Sequence, residues 1–252
     1  MKNIQTILLI LAITFGVKSV GQTKTKSVVP SRETVEEFYD AIFANDTPKA
    51  LKMIGTKFPA NYEPQNKVTP LQAVIWQNNL VLVKALVEKG ANVNSSNSQA
   101  IDVAAEKGTL EILSYLIQKG EPISNKAFNT AGFNHFYDSA KLLLLKGASQ
   151  EKGDIRGKLW VFEQAVRKSD YEVLNALKLN KEELNSHNYD GETALIIAVK
   201  TKNTEMVKYL LKKGADKNKP ETFDAGDDIS YGKKPIQIAT KMKLTEIVKL
   251  LK

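Results

Sequence analysis

The groups best suited to catalysis are scarce in this 252-residue chain, which has two histidines, His135 and His187, and no cysteine. A hydrolytic triad needs a base beside a hydroxyl and an acid behind the base, and neither imidazole has such a setting in the sequence. The H-E-x-x-H, P-loop, G-x-S-x-G and dinucleotide patterns are missing. A zinc site would have to gather both histidines with carboxylates from distant segments. His187 stands in Asn185-Ser186-His187-Asn188, just ahead of Asp190-Gly191, and reads as a turn residue. His135 stands at a break between two helices and reads as a loop or capping residue. The acidic run Asp224-Ala225-Gly226-Asp227-Asp228 lacks the spacing and closing glutamate of a calcium loop, so it reads as a solvated loop. No catalytic, metal or cofactor site is expected. What remains is recognition.

Any recognition surface must be positioned by the strongest pattern in the chain, a repeat. Phe38, Leu71, Ile101, Phe128, Phe162, Leu195 and Ile236 recur at intervals of 33, 30, 27, 34, 33 and 41 residues. Three positions after each comes a small side chain: Ala41, Val74, Ala104, Ala131, Ala165, Ala198 and Ala239. Fifteen positions after each comes an apolar one: Met53, Leu86, Leu116, Leu143, Leu177, Leu210 and Leu251. The spacing of three predicts a first helix with both residues on one face. Alanine there lets neighbouring helices approach without losing helix propensity. A second helix carries a two-turn apolar stripe, as in Leu82, Val83, Leu86 and Val87. Four units then reach Gly90, Gly120, Gly147 or Gly214, where a left-handed helix stop needs no Cβ. A repeat of this length predicts a stacked solenoid that works by offering a long surface.

The segment from Asp190-Gly191-Glu192-Thr193-Ala194-Leu195 through Ala198, continuing to Gly214-Ala215-Asp216, resembles an ankyrin repeat. Thr69-Pro70-Leu71-Gln72-Ala73-Val74, with Leu86, Gly90, Ala91, Asn92 and Asn94, is similar to the same pattern. The resemblance covers residues 35–252, strongly at Leu71 and Leu195 and weakly at Phe38, Phe128 and Phe162. The Phe38 and Phe162 units carry Lys57 and Lys181 in place of the terminal glycine. No unit keeps the family's histidine, so Gln72, Asp102 or Ile196 must brace the helix start. The resemblance implies an all-α, ankyrin-type helix-pair solenoid with hairpin loops, about seven units and irregular end units, over residues 34–252. Thr34 and Glu37 predict a capping box for the first helix, and Thr47-Pro48 predicts the start of the second.

Ahead of the solenoid, Lys2 and the apolar run Ile7 to Phe15, ending at Ser19-Val20-Gly21, read as a cleaved signal peptide over residues 1–21. Residues 22–33 read as a flexible leader. The expected compartment is the periplasm or the exterior of a bacterial cell, where a chain without disulfides must be held by packing. The net charge is +8, and the stretch Ile196 to Lys252 holds 13 lysines against seven acids. That asymmetry suits an acidic protein surface or an anionic membrane face, or simply a solvated end cap. Nucleic acid is disfavoured and not expected as a partner, since the charge comes with no aromatic interleaving and no recognised binding motif, and the expected compartment is wrong for it.

In the family that the chain resembles, contacts come from hairpin tips and from the exposed side of each first helix. This implies a ladder five positions after each anchor: Phe43, Trp76, Glu106, Phe133, Arg167, Lys200 and Lys241. The next positions add Gln77, Lys107 and Lys168. Trp76 is the first candidate anchor, since aromatic and arginine side chains dominate binding hot spots; packing between units is its competing role. Phe133, among Phe128, Phe136 and Tyr137, is expected in the core. The loop Phe58 to Lys67 is either an apolar finger or packed on its neighbour. The reading is a monomeric, non-catalytic protein-binding module of the cell envelope, the alternatives being an inhibitor or immunity-type protein and a membrane-surface docking protein.

Overall fold

The computed structural model describes residues 29–64, 68–94, 99–224 and 229–252. The expected signal peptide, most of the leader, Lys67 at the end of the Phe58 loop, and Asp227 and Asp228 lie outside them. Along the described residues the chain forms seven helix pairs. The first four are α1 (Arg32–Phe43) with α2 (Thr47–Met53), α3 (Pro70–Trp76) with α4 (Leu80–Glu88), α5 (Ala100–Lys107) with α6 (Leu110–Gln118), and α7 (Ala127–Phe133) with α8 (Tyr137–Leu145). The fifth, α9 (Ile155–Lys168) with α10 (Tyr171–Ala176), adds a single turn, α11 (Lys181–Leu184). The last two are α12 (Ala194–Lys200) with α13 (Thr204–Lys212) and α14 (Pro235–Lys241) with α15 (Thr245–Leu251). Before the last pair, β1 (Thr222–Asp224) and β2 (Ile229–Tyr231) form an antiparallel ribbon, with Thr222 opposite Tyr231.

The repeat pattern is the core. First helices pack in series from α1 through α3, α5, α7, α9 and α12 to α14, and the second helices form a second row. Every small residue three places after an anchor is buried, as is every apolar residue fifteen places after one. Six of the seven anchors are buried too; Ile236, in the last unit, is only partly so. Gln72 does brace its helix start: Thr69 N donates to Gln72 Oε1 at 2.8 Å while Gln72 N donates to Thr69 Oγ1 at 3.2 Å. Gly90, Gly120, Gly147 and Gly214 take φ of +83° to +97°, the left-handed stop their spacing predicts.

One regularity is not visible from residue types. Asn45, Asn78, Gly108, His135, Ser169, Lys202 and Lys243, each seven positions after its anchor, all have φ between +51° and +65°. This residue turns the chain from first helix to second, and the backbone demand is met by whatever residue stands there. A left-handed residue other than glycine costs about 1–2 kcal/mol, and glycine raises the entropy cost of folding by about 0.5–1 kcal/mol. Lys202→Gly and Lys243→Gly should therefore each raise stability by about 0.5 kcal/mol, read as a higher denaturant midpoint at unchanged slope. A lower midpoint would sink the strain argument.

Two expectations are corrected. Helix α1 begins at Arg32 with Ser31 as its cap, Ser31 Oγ accepting from Thr34 N at 3.2 Å, so the box between Thr34 and Glu37 does not form. The acidic insertion is partly a β-ribbon, because Glu221 and Lys233 bond across its base. Besides the end units, the fifth unit is irregular, since α9 starts six residues earlier relative to its anchor than α7 or α12 does. The loop after α2 packs inward: Phe58 is buried and stacks on Phe38 at 4.0 Å.

The fifth unit has two devices of its own. Gly132 of α7 and Gly157 of α9 let the two helices touch backbone to backbone; a Cβ on Gly157 would lie 2.0 Å from Asn129 O. Lys158, 1 % exposed, reaches 2.9 and 2.8 Å to the two carboxylate oxygens of Glu183 on α11. That pair ties down the extra turn in a unit with no terminal glycine.

Candidate functional site

The period of the solenoid places one residue per unit at the end of each first helix. Phe43, Trp76, Glu106, Phe133, Arg167, Lys200 and Lys241 are all exposed, as are Gln77, Lys107 and Lys168. Phe133 is thus not a core residue. It is 43 % exposed, because Gly132 and Gly157 bring the helix backbones too close to admit a ring between them. The Arg156 guanidinium lies over its face, 4.8 Å from the centroid. Trp76 is also 43 % exposed, and Lys107 Nζ stands 5.6 Å from its ring centroid. Lys168 Nζ stands 5.3 Å over the Tyr137 ring.

The basic half of the ladder is less free than its sequence implies. Arg167 bonds Glu163 at 2.8 Å and Glu192 at 3.3 Å, and Lys200 bonds Glu192 at 2.7 Å and Glu221 at 2.8 Å. Burial pushes the Glu221 carboxyl up, but bonds from Lys200 and the Lys233 amide outweigh it and hold it below its ordinary value. Lys200 loses to burial as well, yet its two carboxylates keep it above the ordinary lysine value. Arg167 and Lys200 are therefore rungs of an internal ion ladder. Lys241 makes no ion pair among the described residues and is the better candidate for a free basic contact.

Between the extended start of α9 and the hairpin at 186–192 lies a pocket of about 610 Å³. Its floor is apolar, with Phe162, Ala194 and Ile197, and its walls carry Phe133, Trp160 and Tyr189. Both histidines line it, brought together from separate units. His135 stacks on Trp160 at 4.7 Å, and a ring nitrogen of His187 meets Pro220 O at 2.8 Å. His187 is thereby fixed in the hairpin, as its turn setting implies, and His135 is the left-handed turn residue of its unit. No group of three or more metal-ligating side chains forms among the described residues.

The hairpin wall is built locally. Asn188 N bonds Glu192 O and Gly191 N bonds Asn188 O, which leaves Tyr189 at the tip, fully exposed. Thr222 N of β1 bonds Gly191 O at 2.9 Å, so the ribbon braces the hairpin from behind. Tyr189 and Trp160 did not stand out in the sequence. The one available signal was an aromatic residue inside a turn-forming Asn188–Gly191 stretch.

A family model described as ankyrin repeats (3 copies) matches residues 38–127 and 162–252, well over half of the chain. It leaves unmatched the stretch that holds most of α7, α8 and the extra turns of α9, one wall of the pocket. An L-asparaginase of Dirofilaria immitis is 29 % identical over 177 residues, which is 66 % of this chain and 28 % of that protein. An ankyrin repeat protein of Fowlpox virus (strain NVSL) is 24 % identical over 207 residues, 73 % of this chain and 40 % of that protein. The chain spans less than half the length of either relative.

Proposed function

Because the chain belongs to the ankyrin-repeat family, we propose that it is an exported, non-catalytic module of the bacterial cell envelope that binds a protein partner along its ladder. Ankyrin repeats are protein-binding modules, and the observation that supports this reading is the exposure of all seven residues five positions after the anchors. Trp76 supplies the aromatic anchor. Lys241 and Lys168 supply the charge that steers an acidic partner. Export rests on the apolar run Ile7 to Phe15 between Lys2 and Ser19-Val20-Gly21.

The test is capture from envelope extract with the purified chain, analysed by mass spectrometry at low and moderate salt. One dominant protein is expected, and Trp76→Ala with Lys241→Glu should weaken its binding about thirtyfold, as loss of a hot spot does. An unchanged affinity in that double variant, or capture of anionic lipid alone, overturns the reading. Protein recovered from the envelope should begin at Gln22; a chain still starting at Met1 argues against cleavage. Should the partner be an enzyme or toxin that loses activity when bound, the module acts as an inhibitor.

A further inference from the structure

The pocket beside the ladder differs from the ladder in chemistry. Its walls are aromatic, formed by Phe133, Trp160 and Tyr189. His135 covers one face of Trp160, Arg156 covers one face of Phe133, and Tyr189 is fully exposed. Aromatic faces attract cations through the ring quadrupole. Arg156 already demonstrates the geometry on Phe133, at 4.8 Å.

Two carboxylates, Glu163 and Glu192, line the pocket with one cation, Arg156, which Asp154 holds at 2.5 Å. Glu192 is bonded by both Arg167 and Lys200, whereas Glu163 is bonded by Arg167 alone. Glu163 offers the place for a counter-charge: Arg167 takes its Oε1, and its Oε2 has no hydrogen-bond partner among the described residues. Its side chain is only 18 % exposed and lines the pocket. A carboxylate set low in an apolar-floored cavity interacts with an opposite charge more strongly than one in open water.

We propose that this pocket binds an organic cation, a guanidinium or alkylammonium group, seated between the faces of Trp160, Phe133 and Tyr189 and paired with Glu163. A cavity of about 610 Å³ is large enough for a whole arginine or lysine side chain or for a free amine of similar size. The site draws on Phe133 of the ladder together with α9 and the 186–192 hairpin, and it stands whether or not a protein binds through Trp76 and Lys241, neither of which lines it.

The full chain labelled with ¹⁵N in its tryptophans gives two indole signals: Trp160 reports the pocket and Trp76 the ladder, and Trp76→Phe assigns them. Titration with N-acetyl-arginine amide should move the Trp160 signal alone. The citrulline analogue, equal in shape and uncharged, should bind at least about tenfold more weakly. Glu163→Gln should weaken the arginine probe about five- to tenfold while leaving the Trp76 signal in place. Tyr189→Ala, at a fully exposed position that cannot unfold the core, should weaken it as well. Citrulline or N-acetyl-phenylalanine amide binding as tightly as arginine, or no effect of either variant, overturns the site. A Gly-Gly-Arg-Gly-Gly peptide separates the sources. Tighter binding than the free amide supports a partner's side chain in the site, and equal binding supports a small-molecule amine. A Trp76 signal indifferent to every envelope partner would sink the ladder reading and leave the pocket standing.

Discussion

Lys158→Ala is expected to destabilise the fold by about 3–5 kcal/mol, a large share of the 5–15 kcal/mol that holds an ordinary domain together. The reason lies in what is left behind. The Lys158 side chain is 2 % exposed and that of Glu183 15 %, so removing the ammonium strands a carboxylate away from water. Glu183 still caps α11, accepting from Asn180 N at 2.9 Å, so it cannot simply swing out to solvent. Glu183→Ala should cost a similar amount by stranding the lysine. Replacing both at once, Lys158→Met with Glu183→Leu, should be near neutral, because desolvation of the pair offsets most of its attraction. Chemical denaturation of the four proteins gives the cycle. A loss under about 1 kcal/mol in both single variants would mean that the pair is hydrated and α11 is held by Leu184 alone. The effect reaches the pocket, since α11 leads directly into the 186–192 hairpin that forms one wall.

Gly157→Ala is expected to lose about 2–3 kcal/mol. Alanine favours a helix over glycine by about 1 kcal/mol, so on propensity alone this change in the first turn of α9 should help. The contact decides otherwise. The new Cβ would meet Asn129 O at 2.0 Å and Phe133 N at 2.8 Å, and both are backbone atoms of a facing helix with no rotamer to change. Gly132→Ala meets Gly157 O at 2.4 Å and should behave alike. Relief comes only by parting α7 from α9, which carries Arg156 and Trp160 away from Phe133. Thermal unfolding should therefore fall together with the Trp160 response to arginine amide. Parent-like stability in Gly157→Ala would show that the helices have room to spare.

The repeat frame was legible because burial in a solenoid is periodic: the anchors, the alanines and the fifteenth-position leucines are the contacts between units. The ladder was legible for the same reason, five positions being a fixed rotation around a helix. What escaped was non-periodic. Apart from Glu163, four residues before Arg167, the pairing of Arg167 with Glu192 and of Lys200 with Glu221 spans 25 and 21 residues, and no local rule links them. Phe133 misled because aromatic neighbours in sequence suggested a cluster, whereas two glycines fill the space that its ring would need. The missing glycine of the Phe162 unit signalled a departure without showing its form, the early start of α9 and the extra turn α11. The pocket that both histidines line is bounded by the early start of α9 and by the hairpin that follows α11.

The left-handed turn residue seven places after each anchor has a consequence for how this chain can change. At Lys202 and Lys243 the backbone holds a conformation that glycine would take more easily, so stability is left unclaimed at sites remote from the packing. Folded chains tolerate substitutions only to the extent that they stand above a threshold. Glycine at these turns would lift the chain further above it, leaving more room for costly changes at Trp76, Tyr189 or Glu163. The proposed recognition surfaces can then be altered while the turns absorb the cost.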